Sequence, residues 1–384
     1  MARRVHLHVG LPKTGTTYLQ TIMWHNRALL RERGLLYPGR RRLDHYNAWQ
    51  QVRREGRGKP VPRKGAWTRL SDQLGRWSGD GLVSHEFFSM ATPEEAARVV
   101  ADLAPAEVHV VVTARAYVRQ WPAMWQEALK MHYDASFDQF MADARTDRLK
   151  GAWGWASQDL PAVLERWEYA VGRERVHLVT VPAPGSPRSL LWDRWREVLD
   201  LDDTGFEMDV HYPNESLGAP QAALMRRMKP QLTAPLTDGP TKHRWVRRYL
   251  GHEVLVPQRG ARFLPRPDDR AWLVGRAQEA VDAITERGYP MVGDLDDLLD
   301  DGGSAAGPEP YPDDVGPEEL LDVATATIEQ MVRDVRELTL ERDRWRARAS
   351  APSGLRARVA PLARRLRGRG DGADHSETDE DDQP

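Results

Sequence analysis

Eight residues near the start of the chain, Gly10-Leu11-Pro12-Lys13-Thr14-Gly15-Thr16-Thr17, constrain the fold more than any other stretch. They follow a short β-rich run at residues 5–9 (VHLHV). They precede Leu19, Ile22, Met23, Asn26, Leu29 and Leu30, which recur at helical spacing until Gly34 ends the pattern. A strand, a glycine-bounded turn and a helix, in that order, make an anion site. The free N–H groups of the first helical turn converge there, and the helix dipole favours negative charge. The frame is that of the nucleotide-phosphate loop Gly-x-x-x-x-Gly-Lys-[Ser/Thr] with one departure: Thr16 stands where the lysine belongs, and the lysine lies inside the loop as Lys13. In a nucleotide triphosphatase the lysine reaches the β- and γ-phosphates while the next hydroxyl holds Mg²⁺. A lysine placed earlier meets the bridging oxygen of a shorter phospho-anhydride from the other side.

Two further segments read as fully buried strands, residues 81–84 (GLVS) and 108–113 (VHVVVT), and a fourth strand, 176–181 (VHLVTV), follows a helical stretch at 160–171. Continuous apolar runs separated by helices imply an α/β fold, a central parallel sheet flanked by helices on both faces. With 40% hydrophobic residues among 384, the core is sizeable. The charge balance, 55 basic against 57 acidic residues, gives a net charge of -2, so no nucleic-acid partner is expected. The absence of cysteine removes disulfides, thiol nucleophiles and iron–sulfur clusters. No apolar run reaches the roughly 18 residues of a transmembrane segment, and residues 1–15 lack a signal-peptide core. A cytoplasmic protein is expected.

Residues 40–64 carry nine basic residues (Arg40, Arg41, Arg42, Arg53, Arg54, Arg57, Lys59, Arg63, Lys64) against Asp44 and Glu55, and read as a long loop or insertion. The expected organisation is an α/β domain over 1–300, a linker at 301–316, an amphipathic helix at 317–349 and a disordered charged tail at 350–384. In that helix Leu321, Ala324, Ile328, Met331, Val335, Leu338, Arg342 and Trp345 alternate at spacings of three and four. Such a seam of about four heptads suits a coiled coil and a homodimer; a single helix docked on the main domain is the alternative.

Pro12-Lys13-Thr14-Gly15-Thr16-Thr17-Tyr18 resembles, residue for residue, the 5′-phosphosulfate loop of the PAPS-dependent sulfotransferase superfamily, Pro-Lys-[Ser/Thr]-Gly-Thr-Thr followed by an aromatic. The resemblance implies the sulfotransferase fold, PAPS (3′-phosphoadenosine 5′-phosphosulfate) as co-substrate, and no metal. It implies that Lys13 neutralises the leaving phosphate and that the amides and hydroxyls of residues 14–17 cradle the phosphosulfate. The family's second motif places an Arg after a buried strand and a Ser eight residues later, on the 3′-phosphate. Arg115 fits; the serine position is Ala123. Arg119, one helical turn on from Arg115, offers a second cation. Softer likenesses in ARAYVRQWPAMWQEALK, VHLVTVPAPG, Asn214-Glu215-Ser216-Leu217 and GYPMVGDLDDLL extend over about residues 4–300 and resemble a bacterial, actinobacterial-type branch.

Sulfuryl transfer to a hydroxyl needs a base, which in this family is a His or Glu. In the cytosolic branch it follows the strand before the 3′-phosphate strand. His85 and Glu86 stand there, with Glu86 ranked first and His85 orienting it or binding substrate; His45, in the basic loop, is a third candidate. The basic loop with Tyr46 and Trp49 suits an anionic or glycosidic acceptor. Among the 14 tryptophans, Trp121, Trp125, Trp153, Trp155 and Trp167 suit sugar or flat rings and an ordinary core alike. A carbohydrate, lipid or small-molecule hydroxyl (or amine) acceptor is therefore the expectation. The rivals are a P-loop nucleotide-binding kinase-like enzyme, which wants lysine at position 16, and a non-catalytic anion- or nucleotide-binding scaffold dimerised by its C-terminal helix.

Overall fold

A computed structural model describes residues 1–59, 65–210, 216–303 and 309–350. Six parallel strands form one sheet in the order β2-β3-β1-β4-β5-β6. They are β1 (Arg4–Gly10), β2 (Leu35–Leu36), β3 (Asp80–Ser84), β4 (Glu107–Ala114), β5 (Val176–Thr180) and β6 (Met291–Val292). The central strand β1 pairs Leu7 with Val83 on one side and with Val110 on the other. The chain first builds β2 and β3 on one side of β1, then crosses to β4 and β5. Connections therefore diverge at the carboxyl end of β1, where an open α/β sheet leaves its ligand crevice.

The period of two along each strand sorts side chains to two faces. Val5, Leu7, Val9, Val83, Val110, Val112 and Leu178 pack against α3 (Leu43–Gly56), α4 (Ala66–Gly75), α5 (Pro93–Asp102) and the helix Leu160–Val171. Leu82, Val111 and Val179 meet Leu19, Ile22 and Met23 of α1 (Thr16–His25) on the other face. That second face also carries His6 and His8, both buried. The helical pattern expected to run unbroken to Gly34 is two helices: Asn26 interrupts it, its side-chain amide donating to the Ile22 carbonyl at 2.8 Å, before α2 (Arg27–Glu32). The short strand β2 that follows was not visible as a pattern, because two residues are too few for a periodicity to show.

The basic segment is corrected by the structure. Within residues 40–64, Leu43–Gly56 is helix rather than loop, and residues 60–64, with Arg63 and Lys64, lie outside the described residues. Asp44 starts the helix by accepting from the Arg40 and Arg41 amides. His45, Ala48, Trp49 and Val52 then fall at helical spacing and are all buried. The high basic count hid this stripe, because the arginines occupy its solvent side.

A second hydrophobic cluster lies away from the sheet. There α6 (Tyr117–Met131) packs Trp121 and Trp125 against Phe137, Phe140, Met225 and Leu273. Trp121, Trp125 and Trp167 are wholly buried and serve the cores, leaving only Trp153 and Trp155 of the clustered tryptophans half-buried. Tyr311 and Val315, in the stretch expected as a linker, are buried in this second cluster. The chain divides into two compact units, Met1–Ala324 and Thr325–Pro384. The helix Pro317–Ser350 supplies the described part of the second, and along it Ile328, Val335, Leu338 and Trp345 are exposed. The charged tail beyond Ser350 lies outside the described residues. Among the described residues no helix is long and apolar enough to cross a membrane.

Candidate anion site at the phosphate loop

The loop between β1 and α1 is tied to the end of β4 and to α6. Gly10 has a φ of 91°, and a Cβ placed there would lie 2.6 Å from Glu86 Cα, so only glycine lets the two backbones meet. The Leu11 amide donates to the Thr113 carbonyl at 2.7 Å. Gln120 of α6 donates to the Pro12 carbonyl at 2.7 Å. Lys13 sits at φ 66°, a left-handed conformation that a lysine adopts only when its surroundings impose it. Gly15, at φ 86°, precedes the first turn of α1, which no side chain caps. Its leading N–H groups thus have no intrahelical partner. The Thr16 hydroxyl is buried without a partner among the described residues. An orphaned hydroxyl beside uncapped amides fits an anionic group.

Thr14 contributes differently from what the loop resemblance implies. Its side chain is fully buried; the hydroxyl donates to the Leu11 carbonyl at 2.5 Å and lies 2.6 Å from Thr113 Oγ1. Having spent its one proton, it accepts from Thr113. Thr113 in turn accepts from His8 Nε2 at 3.1 Å, and His8 Nδ1 accepts from Ser84 at 2.8 Å. Gln20 of α1 completes the chain by donating to Ser84 Oγ at 3.2 Å. This buried line of hydrogen bonds crosses three strands beneath the loop and leaves Thr14 only its amide for a ligand. Burial holds His8 neutral by pushing its pKa down to about 3.

Lys13 is not a lone cation. Its Nζ lies 2.9 Å from Glu127 Oε2, while Glu127 Oε1 takes Arg247 at 2.7 Å and Lys130 approaches to 3.9 Å. Burial alone would raise the Glu127 pKa, but Lys13, Lys130 and Arg247 outweigh it and hold the carboxyl well below the usual carboxylate range. Arg247 arrives on a π-helical segment, His243–Leu255.

Arg115, just beyond β4, donates to the Lys13 carbonyl at 3.5 Å and opens onto a cavity of about 300 Å³. Arg119, Arg262, Ser216, Gln126 and Ala123 line the same cavity. The alanine that stands for the expected serine is thus on the cavity wall, and Ser216, from a distant part of the chain, brings a hydroxyl to that cavity. Arg119 is not an open second cation: Asp300 pairs with it at 2.8 Å and the Gly302 carbonyl accepts from it. Glu309 also lines the cavity and is neutralised by Arg270 at 3.1 Å. Pro12, Gly15, Thr17 and Tyr18 take their places on the loop and first turn, the Tyr18 hydroxyl donating to the Arg188 carbonyl at 3.3 Å.

The three base candidates separate by their hydrogen bonds. His45 is corrected from a mobile loop to the buried face of α3. Its Nε2 donates to the Pro38 carbonyl at 3.0 Å, its Nδ1 accepts from the Ser84 amide at 3.3 Å, and its ring stacks on Tyr37. Both nitrogens are spent, and burial lowers its pKa to about 4. His85 caps the short helical turn after β3 by accepting from the Phe87 amide through Nδ1 at 3.1 Å, and it packs between Tyr46 and Phe87. Neutral His85 therefore carries its proton on Nε2 and has no free lone pair. Glu86 has its backbone against Gly10 and a side chain 24% exposed.

Comparisons with known proteins add little to this geometry. No family model matches the chain, and no curated protein matches it. A solved structure described as a sulfotransferase from Alicyclobacillus acidocaldarius is 14% identical over 75% of this chain and 97% of its own, at a TM-score of 0.43. A likeness that distant carries no argument. The site stands on its own residues.

Sequence reasoning missed Glu127, Lys130, Arg247, Arg262 and the buried line through His8. One signal was available: Gln120, Glu127 and Lys130 are buried polar residues at helical spacing on a largely apolar helix. For Arg247 and Arg262 there was none, since Arg247 meets Glu127, and Arg262 shares its cavity with Arg115, across more than a hundred residues.

Proposed function

We propose that this protein transfers a sulfuryl group from PAPS to a hydroxyl or amine of a carbohydrate, lipid or small-molecule acceptor. The observation that carries the reading is the adjacency of two anion sites. One is the uncapped loop with Lys13 and the orphaned Thr16 hydroxyl; the other is the arginine-lined cavity joined to it through Arg115. A donor with a phosphosulfate at one end and a separate phosphate on its ribose asks for such a pair. The kinase-like alternative asks for a cation at position 16, where a buried threonine stands. A cytoplasmic location belongs to the same proposal.

PAPS supplies a sulfur already activated by its phosphate leaving group. The chain's own residues hold and neutralise. The amides of residues 14–17 and the Thr16 hydroxyl hold the phosphosulfate, Lys13 offsets the charge left on the phosphate, and Arg115, Arg262 and Ser216 hold the second phosphate. Glu86 takes the acceptor's proton, because its carboxylate has lone pairs to offer where His85 and His45 have none.

Titration calorimetry with PAP, the desulfated product, tests the reading against ADP and ATP–Mg²⁺. Micromolar PAP binding that Arg115→Ala weakens by about tenfold or more is expected, the loss of one charge-assisted contact. Silence toward PAP with clear ATP–Mg²⁺ binding would overturn it in favour of the kinase reading; silence toward all three would favour the scaffold. The base is sorted by PAP release from PAPS in two variants. Glu86→Gln should lower the rate about 10²–10⁴-fold while His85→Asn costs far less, and the reverse order would reassign the role.

A further inference from the structure

We propose that Arg247 is the second cation of the reaction centre, contacting the transferred sulfuryl group while Lys13 contacts the phosphate it leaves, and that Glu127 positions the two. This rests on the donor reading above and adds to it a residue that no motif contains.

The geometry is that of one carboxylate gripping two cations from opposite oxygens, Lys13 at 2.9 Å and Arg247 at 2.7 Å. The carboxylate side chain is only 9% exposed, whereas Lys13 keeps 23% and Arg247 25% of their side chains accessible. Glu127 is thus the buried anchor, and both cations keep an open side. Lys130 also faces Glu127, but at 1% exposure it cannot meet a ligand; its charge helps to keep Glu127 ionised. His252 and His243 feel the same cluster, and burial together with the neighbouring cations holds both below the ordinary histidine pKa, so neither adds charge at neutral pH.

Lys13, Lys130 and Arg247 against Glu127 leave a formal charge of about +2 around the loop. A phosphosulfate carries one negative charge on each half, so the two accessible cations match it one to one. In the transfer the acceptor oxygen forms a new S–O bond as the bond from sulfur to the bridging oxygen breaks. The electron pair stays on the phosphate oxygen beside Lys13, and the acceptor proton passes to Glu86. The non-bridging sulfuryl oxygens are the atoms left without a cation in that account. A planar guanidinium, with paired N–H donors, suits two of them better than an ammonium does. The local winding agrees: Arg247 sits in a π-helical segment, a conformation uncommon in proteins and concentrated at functional sites. A tie between this segment and α6 would need only Arg247 and Glu127. Sharing that carboxylate with a loop lysine held at positive φ places the tie at the reaction centre.

PAP and PAPS differ by the sulfuryl group alone, and that difference makes the test. Calorimetry on the full chain should show Arg247→Ala weakening PAPS binding about tenfold or more while PAP affinity stays within about twofold. Arg247→Lys should recover part of the loss, since it keeps the charge but not the fork. Glu127→Gln, which unpins both cations, should shrink the preference for PAPS over PAP toward that of Arg247→Ala. Equal weakening of both ligands, or no change in either, would overturn the role of Arg247 and leave the donor reading intact. A wild-type chain that binds neither ligand would overturn the donor reading itself. Should a melting curve show Arg247→Ala unfolded, the PAPS-to-PAP ratio of Arg247→Lys decides in its place: an unchanged ratio sinks the proposal.

Discussion

Lowering the pH from 6 to 5 should cost this fold about 4 kcal/mol through three fully buried histidines, to which the less buried His177 and His252 add. His6, His8 and His45 are 1%, 0% and 1% exposed. Their pKa values are pushed down to about 3, 3 and 4, in each case chiefly because burial penalises the charged ring. A histidine whose folded pKa lies below its unfolded value stays neutral in the fold and takes up a proton only on unfolding. Its stabilisation is therefore complete above about pH 6.5 and drains away as the pH falls toward the folded values. Between pH 6 and 5 the unfolded chain binds nearly three more protons through these residues, each worth about 1.4 kcal/mol per pH unit. Against a typical total of about 5–15 kcal/mol, a loss of that size per pH unit is a large fraction of the stability. Circular dichroism against pH reads it directly. His6 is the best control, since neither of its ring nitrogens has a partner among the described residues. In His6→Phe the slope should fall by about 1 kcal/mol per pH unit. An unchanged slope in His6→Phe would show that this ring is hydrated or paired in solution.

Lys13→Ala should abolish useful turnover while leaving the fold in place. Its Nζ is the loop's one side-chain cation, and removing a charge-assisted contact to an anion costs about 1.5–3 kcal/mol, or roughly 10–150-fold in PAP affinity. The charge that develops on the leaving phosphate as sulfur departs raises the cost in the transition state, so PAP release from PAPS should slow by about 10²–10³-fold. The fold should tolerate the change because Glu127 keeps Arg247 at 2.7 Å and Lys130 at 3.9 Å, so no buried carboxylate is stranded. An alanine also keeps the Cβ that lysine already carries at positive φ, so the backbone strain is unaltered. An unchanged melting temperature with lost turnover is the expected pair of results. Unchanged turnover would remove Lys13 from the chemistry.

The parallel α/β sheet and the anion loop were legible in the residue order because both are written in short-range patterns. Apolar runs of four to six residues set the buried strands, and two glycines with four residues between them set a turn that leads into a helix N-terminus. The same local reading failed at residues 43–56, where net charge masked a buried stripe at helical spacing, and at Thr14, whose hydroxyl turns inward to Thr113. Among the base candidates it ranked Glu86 first, with no local sign of which side chains are already bonded, since His85, Glu86 and His45 are all legitimate residue types. Only their hydrogen bonds to Phe87, Pro38 and Ser84 tell them apart.

The order of residues by itself determined the class of fold, the place of the loop at the end of the first strand, and the lysine that enters it early. The tertiary structure alone decided what surrounds that lysine. Glu127 lies 114 residues from Lys13 and Arg247 lies 120 from Glu127, so their meeting depends on how α6, the π-helical segment and the loop pack together. Ser216 and Arg262 likewise reach the Arg115 cavity only because a second, all-helical core brings them there. Periodicity and loop motifs report contacts within a few residues of chain. A charge cluster drawn from three distant segments is set by packing, and packing has no local signature.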